Sequence, residues 1–372
     1  MRSIIWIFID SLSQLLINKD DSPFLWEELS NSLWFTQCVT TTPYTRAAFY
    51  SQITGRYAQH NGCNAYYIPK DRFEKKPYCD QSDVVNVFRR KGYHTVLHSP
   101  FAGGLNLLTG FTEAHTMPSQ TPTKDEFENI GRPLLEPFFW CYHYTGFLRG
   151  LKGSHARKRI QETLRGDDRR IENFVKNHVK PQDIVVYSSD HGFGTKESQK
   201  GAPAEKHHGV TLMECCIRTM FAIKGTELSD RISQMVRSVD VGPTILGLIG
   251  EELDDTDGIN LVPYVEGRKI PNLEAIIETG PGETSRYHHS RFGVRDNDYK
   301  YVFAADAAHL SEHLYSSTIM EPVTDVVDDD GIIVENPELL EWYREKVLAY
   351  LEQYNLGMQR EQLLELKRND SM

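Results

Sequence analysis

Four short stretches carry side chains suited to chemistry on an ester. Asp10 ends the apolar run IIWIFID, and Thr45 lies in TTPYTRAAFYSQITGR. Asp190 and His191 follow DIVVYSS, and His207 and His208 stand in EKHHGVTLME. Carboxylate oxygens with an imidazole nitrogen make a hard-to-borderline donor set that suits a divalent cation. A hydroxyl at the start of a helix faces free backbone N–H groups and the positive end of the helix dipole, where a tetrahedral anion can form and be held. Pro43 turns Thr42 away from helix, which makes Thr45 the expected N-cap of a helix over Arg46 to Ile53, stopped by Gly55. Each residue also has a plain reading. Thr45 is then only a cap, Asp10 caps a following helix, and Asp190 and His191 are loop residues. The residues alone leave both readings open.

The surrounding pattern says what must position these groups. Ile4 to Ile9 is a continuous apolar run, as in a buried parallel strand, and α/β sheets place ligands beyond the carboxyl ends of such strands. Phe24 to Leu33 reads as a helix, with a strand from Trp34 to about Val39. His60 lies in a turn and reads as structural. Asp83 to Lys91 is an amphipathic helix with Val84, Val85, Val87 and Phe88 inward, ended by Gly92 and followed by a strand from His94 to His98. Residues 101–111 and 118–129 read as a loop and a surface excursion.

Phe138 to Tyr144 (FFWCYHY) reads as a buried strand that needs no function. The basic stretch from Arg149 to Arg170 reads as a solvated helical face, continued as helix to Asn177. Asp183 to Ser188 and Met220 to Ile223 are further strands, while Ser229 to Val236 and Val241 to Leu248 are expected helices. After an acidic turn at Asp254 to Gly258 the texture changes. Short strands at Glu274 to Glu278, Arg291 to Val294 and Lys300 to Phe303 suggest an antiparallel sheet. A closing helix from Asn336 to Tyr354 and a charged, frayed tail from Glu361 complete the chain. The expected division is a catalytic α/β domain over 1–253 and a C-terminal subdomain over 254–372.

The bulk properties narrow the function. A 372-residue chain with 40% hydrophobic residues can bury a large core, and its net charge of −11 argues against a general nucleic-acid binder. No apolar run is long enough to span a bilayer, and the first strand begins where a secretory leader would stand. Six cysteines without CxxC pairing suit a reduced, cytoplasmic protein; adjacent Cys215 and Cys216 read as buried filler.

Taken in order, these stretches resemble the sulfatase branch of the alkaline phosphatase superfamily, and within it the threonine-nucleophile, phosphotransferase-like type. IFIDSL and DIVVYSSDHG resemble its two metal-binding strands. TTPYTRAAFYSQITGRYAQHNG resembles its nucleophile helix, and KHHGVTLMECCIRTMFAIKG its H-G-x-x-L-x-E segment. Weaker echoes are RKGYHTVLHSP, LLTGFTEAH, EPFFWCYHY, RSVDVGPTILGLIG and VRDNDYKYV, so the similarity covers about residues 3 to 305.

The resemblance implies a three-layer α/β sandwich with a mostly parallel central sheet and a small C-terminal antiparallel subdomain. It implies one divalent cation (Ca, Mg, Mn or Zn) held by Asp10, Asp190, His191 and Thr45, with Thr45 as nucleophile. His208 and His207 would bind anionic oxygens or protonate the leaving group, and Arg46 would clamp an oxyanion. The expected substrate is a small anionic ester or a phosphorylated glycan or headgroup.

The chain also departs from the pattern. Formylglycine sulfatases carry C/S-x-P-S-R, but here Thr45 is followed by Arg46-Ala47-Ala48-Phe49. Threonine cannot become formylglycine, which favours a phosphoester hydrolase or phosphotransferase over a sulfuric ester hydrolase. A protein that keeps the fold as a binding module is the third alternative. Pro100 and Ala102 replace the usual Lys and His, with His98 as a partial substitute, and Thr145-Gly146-Phe147 replaces D-P-H. The resemblance therefore favours one metal over two.

Overall fold

The computed structural model describes residues 1–64, 83–100, 110–116, 130–147, 157–193, 209, 211–266, 269–279, 289–306, 310–316 and 332–370. Its main sheet is built from β1 (Ile4–Ile9), β2 (Leu33–Val39), β3 (His94–Ser99), β4 (Glu113–Thr116), β5 (Phe138–Tyr144), β6 (Ile184–Ser189), β7 (Arg218–Lys224), β8 (Asp230–Ile232) and β9 (Val236–Arg237). The strand order is β4-β3-β5-β1-β6-β7-β2-β8, with β9 also on β2. All pairings are parallel except those of β7, which runs against β6 and β2. The carboxyl ends of β1, β2, β5 and β6 and the start of β7 therefore share one edge of the sheet.

Every residue of β1, β5 and β6 is buried, so the apolar runs read as central strands are central. Successive side chains on a strand point to opposite faces. Ile4, Trp6 and Phe8 join the core that includes Phe49, Val85, Phe88 and Ile245, while Ile5, Ile7 and Ile9 join the one that includes Leu25, Leu29, Leu164 and Phe174. The helices Thr45–Thr54, Val84–Arg90 and Val241–Gly247 thus cover one face, and Pro23–Ser30 with Arg157–His178 the other. This is the expected layered sandwich.

A second sheet pairs β10 (Ala275–Glu278), β11 (His289–Arg295), β12 (Tyr299–Asp306), β13 (Leu310–Ser316) and β14 (Ile332–Ile333), all antiparallel. Phe292, Tyr301, Phe303 and Leu314 pack against Tyr343, Val347 and Leu351 of the Pro337–Gln353 helix. Buried charges tie this sheet to the first. Glu214 lies 3.4 Å from Arg295, 3.7 Å from Lys300 and 3.6 Å from Arg218. Burial alone would raise the Glu214 carboxyl, but these three cations hold it down at about 2.

Three local expectations differ from the structure. The helix expected at Ser229–Val236 is replaced by β8 and β9, which pair with β2. The apolar spacing there was too short to separate helix from strand, and an open sheet edge decided it. The tail beyond Glu361 is not frayed. It forms the Gly357–Asp370 helix, because Leu363 is buried in the core of the small sheet. The helix expected to extend from Phe24 to Leu33 ends at Ser30. The stretches 101–109 and 117–129 lie outside the described residues.

Glu278 ends β10, with its N–H on the Thr41 carbonyl at 2.9 Å and its carboxylate accepting from Gln59 Nε2 at 2.9 Å. Burial raises this carboxyl from 4.5 to about 7, and the hydrogen bond from Gln59 offsets only part of the rise. In the unfolded chain it ionises near 4.5, so the folded state is favoured fully below that pH, and the advantage is lost as pH rises through about 7. The shift corresponds to at most about 3 kcal/mol. Urea unfolding at pH 5 and pH 8 is expected to show a smaller loss of stability in Glu278→Gln than in the unchanged chain. Equal losses in the two proteins would contradict this reading.

Candidate active site

Three polypeptide turns meet at the shared sheet edge. Asp10 follows β1, Asp190 and His191 follow β6, and the loop after β2 delivers Thr45 to the first turn of the Thr45–Thr54 helix. Thr45 is not the cap. Tyr44 occupies that position with extended backbone and no side-chain cap, and Gly55 closes the helix at φ 66°. Thr45 being the first helical residue leaves its hydroxyl free for the centre.

That hydroxyl lies 3.3 Å from Asp10 Oδ2 and 3.3 Å from His191 Nε2. His191 Nε2 in turn lies 3.3 Å from Asp190 Oδ2. Asp10, Asp190 and His191 are buried, and each offers a ligand atom within 4.8 Å of the others. Hydrogen-bond chemistry fixes the imidazole. His191 Nδ1 is 2.7 Å from the Gly192 carbonyl, which can only accept, so Nδ1 carries a proton and the neutral ring has its lone pair at Nε2.

Asp190 is held by its other oxygen. Oδ1 accepts from the N–H groups of Ser11 and His191, both at 2.8 Å, while Oδ2 is buried without a hydrogen-bond donor. Asp10 Oδ1 accepts from Ser11 Oγ at 2.5 Å. Ser11 makes these contacts at φ 63°, a left-handed conformation that only the surrounding turn can enforce.

Two carboxylate oxygens, an imidazole nitrogen and a hydroxyl thus face one another. Buried acceptors in that arrangement call for a cation. The oxygen-rich set with one nitrogen fits a divalent ion of the Ca, Mg, Mn or Zn class. Burial pushes the Asp190 carboxyl up, with the Asp10 charge adding to it and His191 opposing. Burial would raise Asp10 as well, but His143 and His191 outweigh it and hold Asp10 well below the usual carboxylate range.

His143 is a neighbour that the sequence did not single out. FFWCYHY read as core filler, yet Phe8 pairs with His143 across β1 and β5, which brings the ring to the same edge. Its Nε2 is 3.6 Å from Asp10 Oδ2, and its Nδ1 lies 2.8 Å from Ser99 Oγ. The signal available was positional, since a histidine near the carboxyl end of a fully buried strand is poorly placed for filler. His98 does not serve the centre. Alternation along β3 turns it to the other face, where it accepts from Trp140 Nε1 at 2.9 Å and stacks on His115. His60 contacts Asp257 at 2.9 Å and Asp255 at 3.5 Å, a structural role. Arg46 is buried one residue after Thr45. His207 and His208 lie outside the described residues.

The sulfatase family model matches residues 2–251 of this chain. The N-acetylglucosamine-6-sulfatases of Homo sapiens and Bos taurus are each 33% identical over 119 residues. That match spans 30% of this chain and 20% of either relative. Among solved structures, a 2-O GAG sulfatase superposes with a TM-score of 0.73 at 15% identity, covering 95% of this chain and 92% of the other. A protein in complex with its substrate D-glucosamine-2-N,6-O-disulfate gives 0.66 at 15% identity, over 96% and 98% of the two chains. A member of the alkaline phosphatase superfamily from Vibrio parahaemolyticus gives 0.60 at 14% identity, over 96% and 88%. At these identities the superpositions speak to the fold.

Gly192 sets the position of His191. A Cβ at Gly192 would stand 1.9 Å from the Cys215 carbonyl oxygen and 2.7 Å from Ser13 Cβ. Gly192→Ala is therefore expected to destabilise the fold by about 3 kcal/mol, as overpacking against backbone does. It should also weaken divalent-ion binding in calorimetry. An unchanged urea midpoint and ion affinity would contradict the tight approach.

Proposed function

The chain belongs to the sulfatase family, and on that footing we propose that it hydrolyses a sulfate ester carried by a glycan. The centre would be Asp10, Thr45, Asp190 and His191 with one divalent cation. The observation that carries the chemistry is the placement of Thr45 Oγ1 at 3.3 Å from both Asp10 Oδ2 and His191 Nε2. The sulfate and the sugar are supported by the relatives, which include N-acetylglucosamine-6-sulfatases and a protein bound to a glucosamine disulfate.

A bound cation would supply Lewis acidity, lowering the pKa of the threonine hydroxyl and drawing charge from the ester oxygens. The rest falls to the chain. Asp10 and Asp190 hold negative charge in a buried setting, and the Gly192 carbonyl keeps His191 in the tautomer that presents Nε2 inward. Thr45 Oγ, having lost its proton to solvent, attacks the central atom of the ester at the positive end of its helix, the bond from that atom to the alcohol oxygen breaks, and the alcohol leaves after taking a proton. Arg46 steadies the developing oxyanion, and His208 and His207 serve the leaving group. Water then releases the group from Thr45.

A second reading is favoured by one specific feature. Thr45 carries a hydroxyl where formylglycine sulfatases carry a convertible Cys or Ser, and an unmodified alcohol suits phosphoester hydrolysis or phosphotransfer as well. Parallel assays with an aryl sulfate and an aryl phosphodiester separate the two. The expected result is a higher kcat/KM on the sulfate, and a preference for the phosphodiester would overturn the sulfate assignment. Thr45→Ala is expected to lower kcat by about three orders of magnitude or more while the fold stays intact. Full turnover in that variant would remove Thr45 from the chemistry.

A further inference from the structure

A cleft of about 320 Å³ opens beside β2, between the turn that leaves Asp10, the Pro23–Ser30 helix and β8. Gln14, Trp26, Trp34, Arg218, Arg231 and Ser233 are among its walls. None of them belongs to the centre around Thr45. The volume is at the lower end of what small-molecule sites occupy, about 300–1,000 Å³, and suits a single ring rather than an extended peptide.

The polar groups in the walls are matched to an anion. Two arginines and no carboxylate line the cleft, on a chain whose net charge is −11. Arg218 is built into the framework, donating to the Thr36 carbonyl at 3.1 Å and lying 3.6 Å from Glu214. Arg231 is exposed, and no described carboxylate pairs with its guanidinium. That group instead stacks at 4.9 Å from the Trp34 ring centre and 5.8 Å from that of Trp26. The indoles fix its position while leaving its N–H edge to bond an anionic group. Gln14 Oε1 accepts from Trp34 Nε1 at 3.1 Å, so its amide N–H groups remain as donors.

The apolar parts suit a sugar. Trp26 and Trp34 meet edge to face at 5.4 Å and 89°, and Trp26 is only partly buried. A partly buried indole beside amide, hydroxyl and guanidinium donors matches a pyranose, which has C–H faces and a polar rim. We propose that this cleft binds an anionic sugar unit, sulfated or carboxylated, apart from the metal centre. The choice of a sugar rests on the glycan reading of the centre, whereas the preference for an anion rests on the cleft alone. Gln14 follows Asp10 by four residues, and Ser13 Oγ donates to the Arg218 carbonyl at 3.2 Å, so one short turn belongs to both places. A polyanionic chain held in the cleft would be kept near the centre at a raised effective concentration.

The test uses the full-length, metal-loaded chain carrying Thr45→Ala, titrated calorimetrically with glucosamine 6-sulfate, glucosamine and inorganic sulfate. Two binding events are expected for the sulfated sugar. Adding Arg231→Ala should weaken one of them about tenfold or more, as loss of a charged hydrogen bond does. Because Arg231 is exposed, the melting temperature should not change. In the chain with Thr45 intact, Arg231→Ala should leave turnover of a small aryl ester unchanged. Titrations unaltered by both Arg231→Ala and Trp26→Leu would overturn the site, as would glucosamine binding as tightly as its sulfate. Inorganic sulfate matching the sulfated sugar would overturn the sugar assignment. The aryl-ester assay reports on the centre alone, so its failure would strike the reading of the centre and leave the cleft titration to decide this one.

Discussion

The structure depends on the crowding of buried acceptors. Asp10 Oδ2, Asp190 Oδ2, His191 Nε2 and Thr45 Oγ1 are brought together at the end of a buried sheet. In water each acceptor would find its own donor. In this interior they cannot, and in the proposed centre a divalent cation would meet that need. Much of the surrounding architecture enforces that convergence. Ser11 accepts a left-handed backbone to donate twice, and the Gly192 carbonyl takes the His191 proton that would otherwise point inward.

The parallel sheet makes such crowding tolerable. β1 and β6 run side by side with Ile9 opposite Ser189, so the residues that follow, Asp10 and Asp190, emerge together. A one-residue slip would reverse every inward side chain of β1, so the two hydrophobic faces fix the register that places Asp10 beside Asp190. β7 runs the other way and returns the chain to the same edge, where the Cys215 carbonyl closes over Gly192. The second sheet is fastened nearby through Glu214 and its three cationic neighbours.

The sequence was most legible where one interaction dominated. Continuous apolar runs marked β1, β5 and β6, because burial on both faces leaves no room for polar alternation. Asp10 and Asp190 could be read at the ends of β1 and β6, and the structure does bring them together. Legibility failed where tertiary partners decided. Thr45 was expected as the N-cap of its helix, but Tyr44 takes that position; the expected approach of its hydroxyl to Asp10 is present. Ser229 to Val236 read as a helix, but the open edge of β2 drew it into two strands. His143 was passed over and His98 offered as a partial substitute, because strand alternation decides which histidine faces Asp10 and that depends on register. The chemistry of the ester was the least legible. In the proposed mechanism it turns on one hydroxyl, whose reactivity would depend on its surroundings more than on its type.

The most direct measurement is a titration of the metal-stripped chain with Mn²⁺, followed by calorimetry and electron paramagnetic resonance. The account predicts one bound ion per chain, with affinity lost by at least about a hundredfold in Asp190→Asn and in Asp10→Asn. An ion that binds equally well without those carboxylates, or no stoichiometric binding at all, would contradict it.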